Sequence, residues 1–368
     1  MILLYRTSPK QETLINQELF PLTPNQASPS TMVSVSDLLT VIITTSPTPS
    51  SPSTELISSV LESFRLHCPE LAATRVIVVF DTFDRIAAQN RLKSGSATPE
   101  VAQNYTSYKD NIKSLVLREF VGGGDQDHGK SLEQVSGTAE FGSPYDENNS
   151  VGLAISRSKD KHVTFVEPVA RLGFGLAVRS ALRVTETPYV WVQQHDWALV
   201  ADIPLQPLLE VMRTSTTDED TRAPIKYVSF PSIRMVRYAI SDCVNSYPAL
   251  RTLTASLKRD FASTSQPDIK IPLTPLFFWF DKPHLASTAH YLSRVFPTRL
   301  AMRRGEFIED KIGQRARGQM KDGLWDKWAT WLYYPGDGKQ LCVRHLMGRT
   351  WKGADGELVG KYEPNTGV

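Results

Sequence analysis

Two uninterrupted apolar runs, residues 38–44 (LLTVIIT) and 75–80 (RVIVVF), constrain this chain more than any other feature. Both are rich in β-branched residues and too short for ordinary helices. Neither alternates polar with apolar positions, so each reads as a strand covered on both faces. Between them Leu56, Ile57, Val60, Leu61 and Phe64 fall on one helical face, with Ser51 and Pro52 suited to the cap and first position. Buried strands alternating with helices predict an α/β fold built on a mostly parallel central sheet flanked by helices.

The alternation continues along the chain. Tyr105, Tyr108, Ile112 and Leu115 are helically spaced, although residues 115–121 also fit a strand. Residues 162–166 read as a strand and 172–184 as a helix. Residues 189–192 form a third strong strand, which delivers Gln193, Gln194, His195 and Asp196. Residues 122–160, rich in Gly, Ser and Asp, are too long for an ordinary connection and read as a disordered loop or a lid. The second half is less regular: a helix near 205–212, a strand at 227–230, an apolar run at 276–280 and a helical stretch at 306–320. Trp325, Trp328, Trp331, Tyr333 and Tyr334 follow and read as core rather than a ligand groove, because aromatic side chains mostly bury area. Residues 1–35, rich in Pro, Ser and Thr, read as a loose arm, and 353–368 as a tail.

The 368 residues are 41% hydrophobic and 22% charged, a globular composition, and the formal charge of +2 argues against a general nucleic-acid or membrane field. Cys68, Cys243 and Cys342 lack metal-ligand spacing and are odd in number, which disfavours a disulfide framework. The opening MILLYRTSPK is too weakly apolar for a signal peptide, and no run is long enough to span a bilayer. The expectation is a soluble, cytoplasmic protein without a transmembrane segment.

Several short motifs carry possible chemistry. Residues 124–131 (GDQDHGKS) match the phosphate-loop pattern ending in Lys130, but Asp125 and Asp127 would repel phosphate and a poor helix follows, so a surface loop is the better reading. Gly173 and Gly175 form half of a dinucleotide fingerprint and are read as tight helix-to-sheet packing. His195 and Asp196 stand where open α/β sheets bind ligands, at the carboxyl end of a strand. A carboxylate there suits Mg²⁺ or Mn²⁺. Glu309 and Asp310 are adjacent acids on an amphipathic stretch, able to place one carboxylate in a cleft as a general base. His345 in CVRHLMGRTW has basic neighbours.

Taken in order, these features resemble glycosyltransferases of the A-type fold, the inverting enzymes related to family 2. The order comprises Thr44, Thr45 and Ser46 at the first strand end, Asp81 after the second, the helix GFGLAVRSAL, and the motif Gln194, His195, Asp196. A Glu309–Asp310 pair and a late His345 complete it. The resemblance implies one domain, with residues 36–223 binding a UDP- or GDP-sugar donor and 224–352 holding acceptor and catalytic residues. It further implies donor contacts from Thr44, Thr45, Ser46, Asp81, Arg179, Gln194 and His195, and a divalent cation on Asp196 and His345. Asp310, or else Glu309, would then be the base toward an acceptor hydroxyl. The motif departs from the family by having one acid where two are usual. A non-catalytic carbohydrate- or protein-binding module, or a nucleotide enzyme using Lys130, are the alternatives.

Overall fold

The computed structural model describes residues 34–89, 91, 95–121, 132–217 and 223–351. The loose arm, the C-terminal tail and the phosphate-loop pattern with Lys130 lie outside the described residues.

The strands run, in chain order, β1 (Leu39–Thr45), β2 (Arg75–Phe80), β3 (Arg85–Ile86), β4 (Ser96–Ala97), β5 (Glu133–Glu140), β6 (Ser150–Arg157), β7 (Val163–Pro168) and β8 (Tyr189–Gln194). They continue as β9 (Trp197–Leu199), β10 (Tyr227–Ser229), β11 (Arg259–Ala262), β12 (Lys270–Pro275), β13 (His284–Ser287), β14 (Thr330–Tyr333) and β15 (Val343–His345). Eleven of them form one sheet in the order β11-β12-β14-β10-β13-β8-β1-β2-β7-β6-β5. Its centre, β8-β1-β2-β7, is parallel throughout. Every residue of β1 is buried, as the continuous apolar run requires. Each such Val, Leu or Ile contributes roughly 1.5–3 kcal/mol by leaving water.

The sheet as a whole is mixed, which corrects the mostly parallel expectation. The pairs β8–β13, β13–β10, β14–β12 and β12–β11 are antiparallel, and so are β7–β6 and β6–β5. Much of the stretch expected as a loop or lid is the hairpin β5–β6, whose residues alternate between buried and exposed along β6. A strand with one wet face accepts Ser, Gly and Thr, so its composition imitates a loop.

Helix Phe174–Val184 packs on β1 and β2, and helix Pro99–Val121 on β2 and β7. The latter buries Tyr105, Tyr108, Ile112 and Leu115 and excludes the strand alternative at 115–121. Helix Glu55–His67 begins three residues beyond the expected start at Pro52; Thr54 holds the N-cap position without a side-chain bond, and Ser53 Oγ accepts Glu55 N–H at 3.2 Å. Gly173 (φ 80°) and Gly175 are packing glycines, but their neighbour is the segment 302–306 rather than the sheet. A Cβ on Gly173 would lie 2.5 Å from Gly305 Cα, and one on Gly175 1.8 Å from Met302 Sδ.

The aromatic stretch is core. Trp328 and Trp331 are fully buried, with Trp325, Tyr333 and Tyr334 nearly so. Their indole N–H groups donate to Gln319 Oε1, Pro224 O, Leu276 O and Thr330 O. The three cysteines are free, with only Cys243 exposed. Among the described residues no helix is long and apolar enough to cross a membrane.

Candidate functional site

Register places the ends of three parallel strands at one level. Thr44 pairs with Gln194 and Thr45 with Phe80, so the residues just past β1, β2 and β8 share one edge. They line a solvent-open cleft of about 110 Å³, together with Arg171, Gly173, Phe174, Phe307 and Arg349. Thr44, Thr45, Ser46, Asp81, Gln194, His195 and Asp196, all named from sequence, are brought together there.

The first wall is mostly scaffold. Thr45 bonds the hydroxyl of Tyr108 at 2.8 Å, and Thr44 O accepts His195 N–H at 3.0 Å. Asp81 Oδ1 accepts from Leu172 N at 2.7 Å and Oδ2 from Gly173 N at 2.9 Å. Burial pushes the Asp81 carboxyl above its ordinary value despite those amides and the nearby Arg171. Asp81 therefore fixes the loop entering helix Phe174–Val184, and offers a ligand only the lone pairs that remain.

The opposite wall is chemical. The small antiparallel pair β9–β15 sets His345 beside Trp197, their rings 4.9 Å apart. This carries His345 Nε2 to 3.0 Å from Asp196 Oδ2, across 149 positions of sequence. Gly348 N donates to the same oxygen at 3.3 Å. Burial alone would raise the Asp196 carboxyl, but the hydrogen bonds from His345 and the Gly348 amide hold it below the usual range, so it is ionised. Met347, in the left-handed region at φ 55°, turns the chain between His345 and Gly348. That conformation costs a non-glycine residue roughly 1–2 kcal/mol, and such strain gathers at functional sites. His195 is held neutral chiefly by burial, and its Nδ1 is buried without a hydrogen-bond partner.

Asp196 and His345 could supply an oxygen and a nitrogen donor to a divalent cation, which would need its other ligands from elsewhere. The donor types fit, and the orphaned His195 nitrogen beside them marks a place where a polar ligand is wanted. Among the described residues no group of three His, Cys, Asp or Glu is placed to hold a metal ion unaided.

Glu309 and Asp310 begin a helix whose first turn, Glu309–Gly313, is π-wound before the α-helix Gln314–Lys321. Neither lines the cleft, although Phe307 just before them does. Glu309 is half-buried and turned toward Asp281; Asp310 is exposed. Asp281, in turn, accepts the side-chain amide of Gln194 on its carbonyl at 2.8 Å. The acid pair thus reaches the motif strand through one intermediate residue.

Arg179 is the clear misplacement. It is buried, donates to Glu140 O at 2.7 Å and packs against the β5–β6 hairpin rather than the cleft. Burial lowers it to about 10. The cleft's cations are Arg171, which sits beside Asp84 at 3.6 Å, and Arg349. Gln193 is fully buried and braces the turn, accepting from Trp191 Nε1 at 3.1 Å. Asp281 and Lys282 are the other omissions. An apolar run ending in Asp marked Asp81, and the same signature, LFFWFD, stood at Asp281. Lys282 is buried against Phe280, donates to Ser232 Oγ at 2.9 Å, and is lowered to about 8 by burial.

Fold and cleft define an α/β protein with an open cleft at the carboxyl edge of its parallel strands, the place where such sheets bind ligands. No known family model matches the sequence, and a search of curated proteins finds no significant match.

Proposed function

We propose that this protein is a glycosyltransferase of the A-type fold, moving a sugar from a nucleoside-diphosphate donor to an acceptor hydroxyl with inversion. The single observation that carries the reading is the Asp196–His345 pair. Two residues picked out by motif order alone stand 3.0 Å apart; Asp196 lines the cleft formed by the ends of β1, β2 and β8, and His345 stands behind it, outside the cleft lining.

Asp196 and His345 would be the residues to hold a divalent ion, Mn²⁺ or Mg²⁺, which would supply positive charge toward the departing diphosphate. Arg171 and Arg349 add positive charge on the cleft wall, favouring the anionic donor before the transition state and the leaving group after it. Ser46, the more open of the three strand-end hydroxyls, remains available to the donor. Asp310 would take the proton of an acceptor hydroxyl as that oxygen attacks the anomeric carbon, although it lies outside the cleft lining, so the acceptor must reach it from the Phe307 side. It is exposed, and among the described residues no side chain or amide engages its carboxylate, whereas Glu309 is committed to Asp281. One displacement inverts the anomeric centre.

The test is a panel of UDP-, GDP- and TDP-sugars with Mn²⁺ or Mg²⁺, followed for hydrolysis and transfer. Asp310→Asn lowers turnover by roughly 10²–10⁴, the usual worth of a general base, while calorimetric affinity for the nucleotide stays unchanged. Absence of both binding and turnover across the panel sinks the reading. Metal-dependent binding without turnover supports a non-catalytic module instead.

A further inference from the structure

Asp281 is nearly fully buried where the apolar run 276–280 ends. Two of its polar groups meet Glu309 and a third meets Gln194. Its N–H donates to Glu309 Oε2 at 3.4 Å, its Oδ1 accepts Glu309 N–H at 3.0 Å, and its carbonyl accepts Gln194 Nε2 at 2.8 Å. The first N–H groups of a helix have no partner inside it. Asp281 therefore caps this helix from a distant strand connection, as an N-cap side chain does from within the chain. One residue holds Glu309 by backbone and side chain, and is itself tied to the strand end bearing His195 and Asp196.

We infer that Asp281 is a positioning residue, holding the helix start that presents Asp310 in register with the strand end that presents Asp196. The inference rests on the transferase reading for its consequence in catalysis, but not for its geometry. The groups facing Asp281 are Glu309 and Asp310 on the helix, with Lys282 next in the chain. Burial first, and then the charges of Glu309 and Asp310, push the Asp281 carboxyl well above the ordinary range, which favours its uncharged form. A neutral acceptor caps Glu309 without placing a third negative charge beside two others. Asparagine, neutral and of the same shape, can do this; alanine cannot.

The experiment is amide hydrogen exchange on the full chain, read over residues 305–315, for wild type, Asp281→Asn and Asp281→Ala, with urea unfolding as a control for global stability. Asp281→Ala speeds exchange at Glu309 roughly tenfold or more beyond any global change, while Asp281→Asn stays within about twofold of wild type. In a transfer assay the alanine variant loses kcat by roughly 10- to 100-fold at unchanged donor KM, and asparagine restores it. Unchanged exchange in the alanine variant, or an asparagine variant as loose as alanine, overturns the proposal. Should the alanine variant not fold, Asp281→Ser gives the same comparison with less lost volume. Exchange needs no substrate, so a wild type that transfers no sugar counts against the transferase reading while exchange still decides the role of Asp281.

Discussion

Gly313→Ala separates packing from propensity at the start of the helix bearing Glu309 and Asp310. Gly313 has ordinary helical angles (φ −57°, ψ −43°), so intrinsic propensity alone predicts that alanine stabilises the helix by about 1 kcal/mol. The surroundings predict the opposite. A Cβ there would lie 2.5 Å from Phe278 Cε1 and 2.7 Å from Trp279 O, where ordinary contact begins at 3.4 Å. The Phe278 ring can turn aside, but a backbone carbonyl cannot, so the helix start must retreat by about 0.7 Å. Along the Glu309 N–Asp281 Oδ1 bond, now 3.0 Å, that retreat gives about 3.7 Å, beyond hydrogen-bond range. Overpacking costs about 1–3 kcal/mol and the orphaned N–H about 1–3 more, which less the propensity gain of about 1 leaves an expected loss of roughly 1–5 kcal/mol. Urea unfolding measures it directly as a lowered midpoint at unchanged slope. A variant as stable as wild type, or more so, refutes the close-approach argument.

Other outcomes follow from the same geometry. Asp196→Ala and His345→Ala should each weaken Mn²⁺ binding by at least about tenfold, read by paramagnetic resonance titration in the presence of UDP; equal affinity in the variants removes both from the metal site. His284, fully buried, is lowered to about 4 from 6.5 by burial. The unfolded chain therefore takes a proton that the native one refuses as pH falls from 6.5 to 4, and stability should drop by about 3 kcal/mol over that window. His284→Gln should abolish that part of the acid sensitivity, and urea midpoints at pH 7 and 4 check it. Lys282 is lowered to about 8 from 10.5. Its native charge is lost first as pH rises, so its penalty is relieved between about pH 8 and 10.5. Lys282→Met should be the more stable protein at pH 7 and should lack that alkaline gain; a destabilised variant contradicts the sign.

What was legible in the sequence were the features that depend on neighbours in the chain. Residues 39–45 and 75–80 are buried on both faces, so their composition alone declares them strands, and the strand ends Thr44, Asp81 and Gln194 followed. The β5–β6 hairpin was illegible because one face meets water and Ser136, Gly137 and Thr138 look like loop. Gly173 and Gly175 were legible as packing glycines but not as packing on 302–306, since nothing local announces a neighbour some 130 positions away. Arg179 was misread for a related reason. A helix before the motif has a face toward the cleft and a face toward the hairpin, and with β5–β6 taken for a loop there was nothing for the second face to bury. Asp281 went unnoticed although its signature matched that of Asp81, because its importance lies in three hydrogen bonds to residues 28 and 87 positions away.

On the transferase reading, a single acid at Gln194–Asp196, where that family usually has two, changes what the cleft would attract. Two ionised carboxylates would hold a divalent ion with no net charge left over, so the diphosphate would rely on other cations. Here Asp196 is the ionised member and His195, being buried, is neutral. Asp81 meanwhile gives both oxygens to backbone amides. With a divalent ion bound, the pair Asp196–His345 keeps about one positive charge, and Arg171 and Arg349 face the same space. At a separation of about 4 Å, a unit of charge in a partly dehydrated cleft is worth up to about 4 kcal/mol toward an anion. A single acid thus weakens the grip on the free ion while strengthening the field on the diphosphate. On this account the ion and the nucleotide bind cooperatively: the ion alone is held loosely, and the nucleotide completes its coordination. Calorimetry of Mn²⁺ with and without UDP distinguishes this from a preformed metal site, where the two affinities for the ion would be equal.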